Sequence, residues 1–419
     1  FSLSLPIASF IAVKYFVPLY RKINSPSAYT YMELRFGPWA RIYVSLCYLL
    51  TQLMRIGTIL YLLALTLNAI VGWDIITIIV LTGVVVAIYS MLGGITAVLW
   101  TDAIQGIILI AGAVVCVGYI LFNMPEGPGQ VIDIALSNEK FGLGSFDLDL
   151  TDSTFWVVLI YGIFINLQNY GIDQNYVQRY MASKSEKGAQ RSALIGGLIY
   201  VPVSALFLFI GTALFAYYNA ADSLPLELQD VTKSDRVFPY FIVNALPAGL
   251  SGLLVASIFA AGMSTISTSF NSSATVFLTD YYNKYFKKNA SDKEGMKVLY
   301  ISSAVISILG IAIAIAMINV KSALDAWWSL ASIFSGGMLG LFLLGIISKN
   351  KNVIGAIVGT IAGILLILWL SLSGMLFGES SIGNSFHTYL TIVFGTIVIF
   401  LIGFLISLFS SKKSDLEKQ

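Results

Sequence analysis

The sequence predicts an all-α polytopic membrane protein, and three observations support this fold class. The chain is 57% hydrophobic and only 11% charged, with a mean hydropathy of +0.84, which is far too apolar for an average soluble domain. Apolar runs near the ~20 residues that cross a bilayer recur from end to end. The short connections between them alternate between basic and acidic, as successive crossings of a membrane require.

Eleven apolar runs are predicted to be membrane spans, with ends uncertain by a few residues. They are 1–20, 41–71, 74–91, 102–122, 154–170, 193–218, 248–278, 298–318, 324–347, 353–375 and 386–409. The spans 41–71 and 248–278 are longer than a helix perpendicular to the bilayer needs, so both are expected to tilt strongly or to extend past the membrane.

The charges in the connections indicate the orientation. The first connection contains Arg21, Lys22, Arg35 and Arg41 against Glu33, and the later connections 171–192, 279–297 and 348–352 and the tail 410–419 are also basic. The connection 123–153 instead contains Glu126, Asp133, Glu139, Asp147, Asp149 and Asp152 against Lys140. Because short cytoplasmic loops retain Lys and Arg, the basic connections and the C-terminal tail are predicted to be cytoplasmic.

The order of the spans suggests an inverted repeat. If one helix precedes Phe1, that helix and the next four spans match the five spans within 154–347 in order, each pair with opposite polarity. Inverted five-helix repeats are typical of secondary transporters. We therefore expect a first core helix upstream of Phe1. The predicted division is 1–122 for the remainder of the first repeat, 154–347 for the second, 353–409 for two extra helices and 410–419 for the tail.

The span 154–170 loses its apolar character near its end. Polar and small residues follow one another there: Asn166, Gln168, Asn169, Tyr170 and Gly171. Transporters with inverted repeats bind ligands near the midplane, at helices that are interrupted. The sequence therefore predicts that this segment is unwound.

A cluster of hydroxyl side chains marks the span 248–278. Ala261, Ser264, Thr265 and Thr268 follow the i, i+3, i+4, i+7 spacing and share one helix face, with Ser267 at its edge. Such hydroxyls commonly bond back to carbonyls of their own helix and allow close packing. The alternative is a cation site, because hard cations prefer oxygen ligands and neutral oxygens bind Na⁺ weakly enough to release it.

Arg55 lies near the middle of the span 41–71, too deep to reach water easily. A charge there is costly unless it faces a partner or a cavity, which makes it a functional candidate. A buried ion pair is one interpretation, but the predicted spans contain no acids except Asp102 and Asp325 near helix ends. We therefore favour an anion from outside, since the guanidinium fork matches a carboxylate. Gln52 and Thr58 would share the face of Arg55.

Asp102 follows Thr101 at the start of the span 102–122. An acid in the first helical turn is stabilised by the helix dipole. Alternatively, Asp102 supplies the one formal negative charge of a cation site that the hydroxyls of 248–278 complete. Asp325, beside Trp327 and Trp328, is interpreted as an interface residue within an aromatic belt.

Other chemistry finds little support. Cys47 and Cys116 lie inside apolar runs, where they are typical of small buried hydrophobes rather than of a disulfide framework. His387 is the only histidine, which makes zinc or haem chemistry an unlikely basis for function. The net charge of +2 does not indicate nucleic acid as a partner. The hydroxyl cluster lacks a nearby His or Lys base, so no enzyme activity is predicted.

Four ordered stretches resemble the sodium/solute symporter family, which includes bacterial and mammalian sodium-coupled sugar transporters and the proline transporter. They are YTYMELRFG (29–37), YSMLGGITAVLWTDAIQG (89–106), DQNYVQRYMASKS (173–185) and AAGMSTISTS (260–269). The resemblance implies a LeuT-like fold with extra C-terminal helices, whose first core helix lies upstream of this chain.

The resemblance also implies ligand sites. One Na⁺ would bind the carbonyl of Ala261 and the hydroxyls of Ser264 and Thr265, together with backbone oxygens of the first core helix. A second Na⁺, bound in some members, would use an acid that matches Asp102 and hydroxyls that match Ser264, Ser267 and Thr268. The expected cofactor is therefore one or two Na⁺ ions.

Arg55 narrows the resemblance to the bacterial sialic acid transporters, which use such an arginine for the substrate carboxylate. The expected function is Na⁺-coupled symport of sialic acid or a similar carboxylated sugar by a monomer in the bacterial inner membrane. The substrate residues would be Arg55, Gln52, Thr58, Asn169 and Tyr170. Symport of a neutral sugar or proline is the alternative. A passive channel, or a membrane sensor of the kind fused to histidine kinases, fits less well.

Overall fold

The structure is a computed structural model that describes residues 1–221, 224–230, 236–288, 290–320, 323–377 and 385–416. The residues in these ranges form helices and connections, with no strand among them. The helices are α1 Ser2–Ile23, α2 Thr30–Phe36, α3 Pro38–Val71, α4 Ile75–Phe122, α5 Gly129–Ser137, α6 Phe155–Ile172, α7 Gln174–Ala182, α8 Glu186–Ala221, α9 Val237–Asn244, α10 Ala248–Phe286, α11 Asp292–Ala316, α12 Ala323–Ile347, α13 Val353–Phe377 and α14 Leu390–Leu416.

Ten helices in the described part of the chain are long and apolar enough to cross a membrane. The difference from the eleven predicted spans lies in α4, whose 48 residues include both 74–91 and 102–122. At ~1.5 Å per residue such a helix is about 72 Å long, more than twice the hydrocarbon thickness. It is divided at Gly94, where the backbone leaves the helical region with φ 56° and ψ −160°. This conformation is open essentially to glycine alone, so the sequence GG at 93–94 permits the break.

Several helices extend beyond their predicted bounds, among them α8 and α10. α8 begins at Glu186 rather than at 193, because Glu186, Lys187 and Gln190 are good helix formers that continue the helix outside its apolar part. α10 continues as a π-helix through Phe277–Phe286, beyond the predicted end at 278. That extension places Asp280 and Lys284 among charged groups of other helices.

The long helix α10 packs against α3, α4 and α11 at the centre of the described bundle. Ile266 and Phe270 of α10 are fully buried with Leu60 of α3 and Ile79 of α4. Gly262 faces Leu63 so closely that an added Cβ would lie 2.4 Å from a Leu63 methyl carbon. Small residues at such crossings let membrane helices approach each other.

The last two helices, α13 and α14, pack mainly on each other and on α12. Gly359 of α13 lies against the backbone of α14, where an added Cβ would be 2.7 Å from the carbonyl oxygen of Ile399. These helices therefore form a flank that is separate from the hydroxyl face of α10.

The break after α6 differs from the sequence prediction. The segment 166–171 is not unwound, because α6 remains helical through Ile172 and breaks at Asp173, with φ −70° and ψ 125°. Two tyrosine hydroxyls bind the carbonyls that the break leaves open. Tyr180 donates to the carbonyl of Tyr170 and Tyr20 donates to that of Gly171, each at 2.7 Å.

Contacts between connections agree with the alternation of basic and acidic loops. Arg35 in the first basic connection donates to the carbonyl of Ser348 in another. At the opposite end, the amide of His387 donates to the carbonyl of Leu150 in the acidic connection at 2.8 Å. The first basic connection and the basic connection 348–352 thus meet at the same end of the bundle.

Candidate functional site

Arg55 projects from the middle of α3 into the interior, with 21% of its side chain exposed. Its Nη1 lies 3.7 Å from Oδ2 of Asp173, and its Cζ lies 5.5 Å from the ring centroid of Trp327. None of its N–H groups makes a hydrogen bond to a residue that the structure describes. The guanidinium is therefore neutralised at a distance, while its donors remain open to a ligand.

Asp173 corrects the prediction that Arg55 lacks an acidic partner. The sequence places Asp173 just outside the predicted span 154–170, in a connection. The break after α6 instead turns its carboxylate into the bundle, where the side chain is only 7% exposed. Asp173 also caps α7, since its Oδ1 accepts from the amide of Asn175 at 2.8 Å.

Gln52 connects this pair to α10. The Gln52 side chain is fully buried, its Nε2 donates to Asp173 Oδ2 at 3.4 Å and its Oε1 accepts from Ser269 Oγ at 2.8 Å. The prediction that Gln52 shares the face of Arg55 therefore matches the geometry, with Asp173 between them. Both polar ends of the amide are engaged.

The other predicted substrate residues lie in different surroundings. The Thr58 hydroxyl is buried and contacts Met317 Sδ at 3.3 Å. Tyr170 is buried, with its ring 4.8 Å from that of Tyr176, while Asn169 is half-buried. The structure places none of these three against Arg55 through a hydrogen bond among its described residues. Their role in substrate binding stays a prediction.

The hydroxyl face of α10 is present as predicted. Ser264 and Thr265 donate to the carbonyl of Ala261 at 2.9 and 3.2 Å, and Ser267 and Thr268 donate to the carbonyl of Ser264 at 3.1 and 2.8 Å. Each hydroxyl thus bonds to a carbonyl of its own helix, as the packing interpretation of this cluster expects. Residues 261–265 are half-buried, unlike 266–270, which are buried.

Asp102 of α4 meets this face. Its Oδ2 accepts from Thr268 Oγ1 at 3.1 Å and from Arg179 Nη2 at 2.6 Å. Its Oδ1 is buried without a hydrogen-bond partner in the part of the chain that the structure describes. Asp102 lies inside α4, eight residues after the break at Gly94, so its predicted position in a first helical turn is wrong. Its carboxylate instead contacts α10 and α7. A carboxylate oxygen that lacks a donor, beside a threonine hydroxyl, fits a small cation.

The hydroxyls of Tyr89 and Ser90 hold α4 against the same region of α10. Tyr89 donates to the carbonyl of Met263 at 3.1 Å, and Ser90 donates to the carbonyl of Ser267 at 3.2 Å. They fix the height of α4 relative to the hydroxyl face. The structure therefore brings Ala261, Ser264, Thr265, Ser267 and Thr268 together on α10, with Asp102 at the Thr268 end.

The sequence analysis missed the partners on α7. Asp173 and Arg179 both lie within the quoted stretch DQNYVQRYMASKS, yet neither was given a role. A signal was available, since this stretch has opposite charges six positions apart directly after an apolar span. Trp327 was interpreted only as part of an aromatic belt, while the side chains of Asp325 and Trp328 lie outside the described residues.

Comparison with known proteins was informative over nearly the whole chain. The model of the Sodium:solute symporter family matches residues 1–363. The sodium/sialic acid symporter NanT of Aliivibrio fischeri is 32% identical over 394 residues, which cover 93% of this chain and 75% of the relative. The sodium/sialic acid symporter SiaT of Proteus mirabilis is 35% identical over 360 residues, which cover 84% and 71%.

Solved structures of transporters also resemble this chain. A Na⁺-coupled sialic acid symporter in its substrate-bound, outward-open state matches with a TM-score of 0.86 and 32% identity, over 97% of this chain and 83% of that chain. The transporter Mhp1 in a closed conformation matches with a TM-score of 0.56 and 14% identity, over 98% and 86%, which shows a shared fold alone. The predicted all-α, LeuT-like architecture is confirmed. The chain belongs to the sodium:solute symporter family.

Proposed function

We propose that this protein is a Na⁺-coupled symporter that carries sialic acid, or a similar carboxylated sugar, into the cell by alternating access. The names of two relatives, at 32% and 35% identity, support this substrate class, as does the similar structure of a sialic acid symporter. The role is transport rather than chemical conversion.

The observation that carries the proposal is the state of Arg55. Its guanidinium lies in the middle of a membrane helix, and its donors have no hydrogen-bond acceptor among the described residues. A substrate carboxylate would bind two of these donors at once, which is a strong charge-assisted arrangement in a site of low dielectric. Trp327 lies beside the guanidinium, and an aromatic ring suits the apolar face of a sugar. Gln52, whose amide is engaged at both ends, holds Asp173 next to Arg55.

The cation would bind on α10. The carbonyl of Ala261 and the hydroxyls of Ser264 and Thr265 offer half-buried neutral oxygens for one Na⁺. Asp102 and Thr268, with Ser264 and Ser267 above them, offer a second set that contains one formal charge. Neutral oxygens and a single carboxylate favour a hard monovalent ion over the softer transition metals. One or two Na⁺ ions per substrate follow from these two sets.

Alternating access would use the same elements. Na⁺ on α10 would favour the outward-open state, the substrate would then dock on Arg55, and closure would follow, since a ligand shifts the equilibrium by its differential affinity for the two states. We place the protein in the bacterial inner membrane, acting as a monomer. The basic connections and the C-terminal tail lie on the cytoplasmic side by the distribution of Lys and Arg.

Uptake by the full-length protein in liposomes tests the proposal. Labelled sialic acid, galactose and proline are compared under an inward gradient of Na⁺, an inward gradient of K⁺, or no gradient. The expected result is uptake of sialic acid alone, and only with the Na⁺ gradient. Na⁺-driven uptake of galactose or proline would support Na⁺ as the coupling ion but would contradict a carboxylated sugar as the substrate. Equal uptake of sialic acid with and without the Na⁺ gradient would contradict coupling to Na⁺.

A further inference from the structure

One short helix, α7, carries the charged partners of both candidate ligand sites. Asp173, which caps its start, lies 3.7 Å from Arg55. Arg179, near its end, lies 2.6 Å from Asp102. The six-residue step from Asp173 to Arg179 corresponds to about 9 Å along a helix. A single segment thus places a carboxylate beside the proposed substrate site and a guanidinium against Asp102 of the proposed Na⁺ site.

At the Asp173 end, a carboxylate lies beside the proposed anion site without filling it. The distance of 3.7 Å to Arg55 exceeds hydrogen-bond range, so the pair is electrostatic and leaves the guanidinium donors open. Asp173 is held in place independently, through the amide of Asn175 and the Nε2 of Gln52. Its carboxylate lowers the net charge that an incoming anion would meet at Arg55.

The Arg179 end resembles an occupied cation site. Nη2 donates to Asp102 Oδ2 at 2.6 Å and lies 3.4 Å from Thr268 Oγ1. These are two of the oxygens assigned to the second Na⁺. The Arg179 side chain is 41% exposed and would be hydrated on leaving, whereas Asp102, at 17%, would then need a replacement cation such as Na⁺.

The two ends also share α10. Thr268 contacts Asp102 and Arg179, while its neighbour Ser269 donates to Gln52, which in turn donates to Asp173. A shift of α7 would therefore change the contacts of two consecutive residues of α10, Thr268 and Ser269. Two ion pairs, Arg55 with Asp173 and Asp102 with Arg179, lie beside α10, and the charges cancel within each pair.

Charge balance then links the two ligands. A substrate carboxylate alone would add a second negative charge beside Asp173, and Na⁺ alone would add a second positive charge beside Arg179. Either change is unfavourable in a site of low dielectric, whereas both together restore neutrality.

We propose that α7 holds internal counter-ions for both sites, with Asp173 competing with the substrate for Arg55 and Arg179 competing with Na⁺ for Asp102, and that this competition couples the two ligands. The inference rests on the proposed function and names the residues that enforce it. Coupling between ligands is reciprocal, so each ligand tightens the other by the same factor.

The test measures equilibrium binding to the purified full-length protein. Na⁺ binding without sugar is followed by intrinsic tryptophan fluorescence, and sialic acid binding is measured by calorimetry with and without Na⁺. The variant Asp173→Asn removes the charge but retains a good helix cap, and Arg179→Gln removes the tethered cation. Controls are Asp133→Asn and Arg191→Gln, which change exposed residues without ion pairs in the described part of the chain.

We expect Arg179→Gln to lower the Na⁺ concentration for half-saturation by about two- to five-fold, the range set by a partly exposed ion pair. Asp173→Asn should tighten sialic acid binding in the absence of Na⁺ and should reduce the ratio of Kd without Na⁺ to Kd with Na⁺ by a similar factor. Both control variants should behave as the wild type does.

If the Na⁺ concentration for half-saturation is unchanged or higher in Arg179→Gln, Arg179 does not compete with Na⁺ for Asp102. If the ratio of the two Kd values is unchanged in Asp173→Asn, Asp173 does not compete with the substrate for Arg55. If Asp173→Asn fails to fold, Asp173→Ser takes its place, because serine is also a good helix cap and carries no charge. If the wild type does not bind sialic acid, the proposed substrate fails, while the Na⁺ titration still tests Arg179.

Discussion

Arg41 Nε donates to Asp280 Oδ1 at 2.8 Å, in a pair whose carboxylate is 1% exposed and whose guanidinium is 10% exposed. Ser27 Oγ donates to the other oxygen of Asp280 at 2.8 Å, and Arg41 Nη1 donates to Glu33 at 2.7 Å. The pair therefore joins the start of α3, the π-helical end of α10 and the connection between α1 and α2. All of these lie at the end of the bundle that carries the basic connections.

Asp280→Ala should strongly destabilise the fold, because it leaves the buried Arg41 charge without its closest partner. Removing one member of a buried pair costs about 3–5 kcal/mol. Thermal unfolding in detergent would show the loss as a lower midpoint. Lys287→Ala, which breaks the exposed pair with Glu294, is the matched control and should leave the midpoint nearly unchanged. Similar midpoints for both variants would contradict the structural role of Asp280.

Stability should fall at acidic pH through Glu33. Burial alone would raise the pKa of Glu33, but hydrogen bonds from Lys284 and Arg41 lower it below its ordinary value. A carboxyl whose pKa is lowered in the folded state stabilises the fold above its unfolded pKa, and this contribution disappears as the pH falls through the folded pKa. The midpoint difference between wild type and Glu33→Gln should therefore be largest near neutral pH and shrink below pH ~4. A difference that does not change with pH would exclude this role.

Arg55→Lys should abolish most uptake of an acidic sugar although it retains the positive charge. The lysine ammonium cannot present the paired donors that a carboxylate accepts from a guanidinium. It still compensates the buried Asp173, so the variant should remain folded. Initial uptake rates across substrate concentrations provide the measurement. A normal apparent affinity in Arg55→Lys would show that the substrate carboxylate binds elsewhere.

Asp102→Ala should lower the Hill coefficient for Na⁺ towards one if two ions are bound. The substitution removes the only formal negative charge that contacts the described hydroxyl face of α10. The site formed by Ala261, Ser264 and Thr265 would remain. Uptake measured against Na⁺ concentration checks this, with Asp133→Asn as a control. A coefficient that stays above one in Asp102→Ala would assign Asp102 a structural role.

Gly94→Ala should destabilise α4 by about 1–3 kcal/mol, since a side chain is strained at φ 56° and ψ −160°. No neighbouring atom lies within 4 Å of the added Cβ, so the cost is conformational rather than steric. Gly106→Ala is the control, because that glycine is helical and its added Cβ also meets nothing within 4 Å. It should be neutral or slightly stabilising. Equal unfolding midpoints for the two variants would contradict a required break at Gly94.

Local patterns predicted much of the fold because the bilayer imposes simple rules. Apolar runs identify helices, and the alternation of loop charge predicts which connections share one side, which agrees with the contact between Arg35 and Ser348. The helix spacing of Ser264, Thr265 and Thr268 likewise placed them on one face. The domain boundaries and the assignment of each residue to a ligand stay predictions.

By itself, then, the sequence determined the helical membrane architecture, the hydroxyl face of α10 and the depth of Arg55, because each depends on the order and spacing of residues along one helix. Only the tertiary structure decided that Asp173 turns inward to Arg55 and that Arg179 reaches Asp102. Those contacts join residues 118 and 77 positions apart along the chain (173 − 55 and 179 − 102). They depend on where α6 breaks, which is at Asp173, where tyrosines of α1 and α7 bind its last carbonyls, and not within the polar segment 166–171.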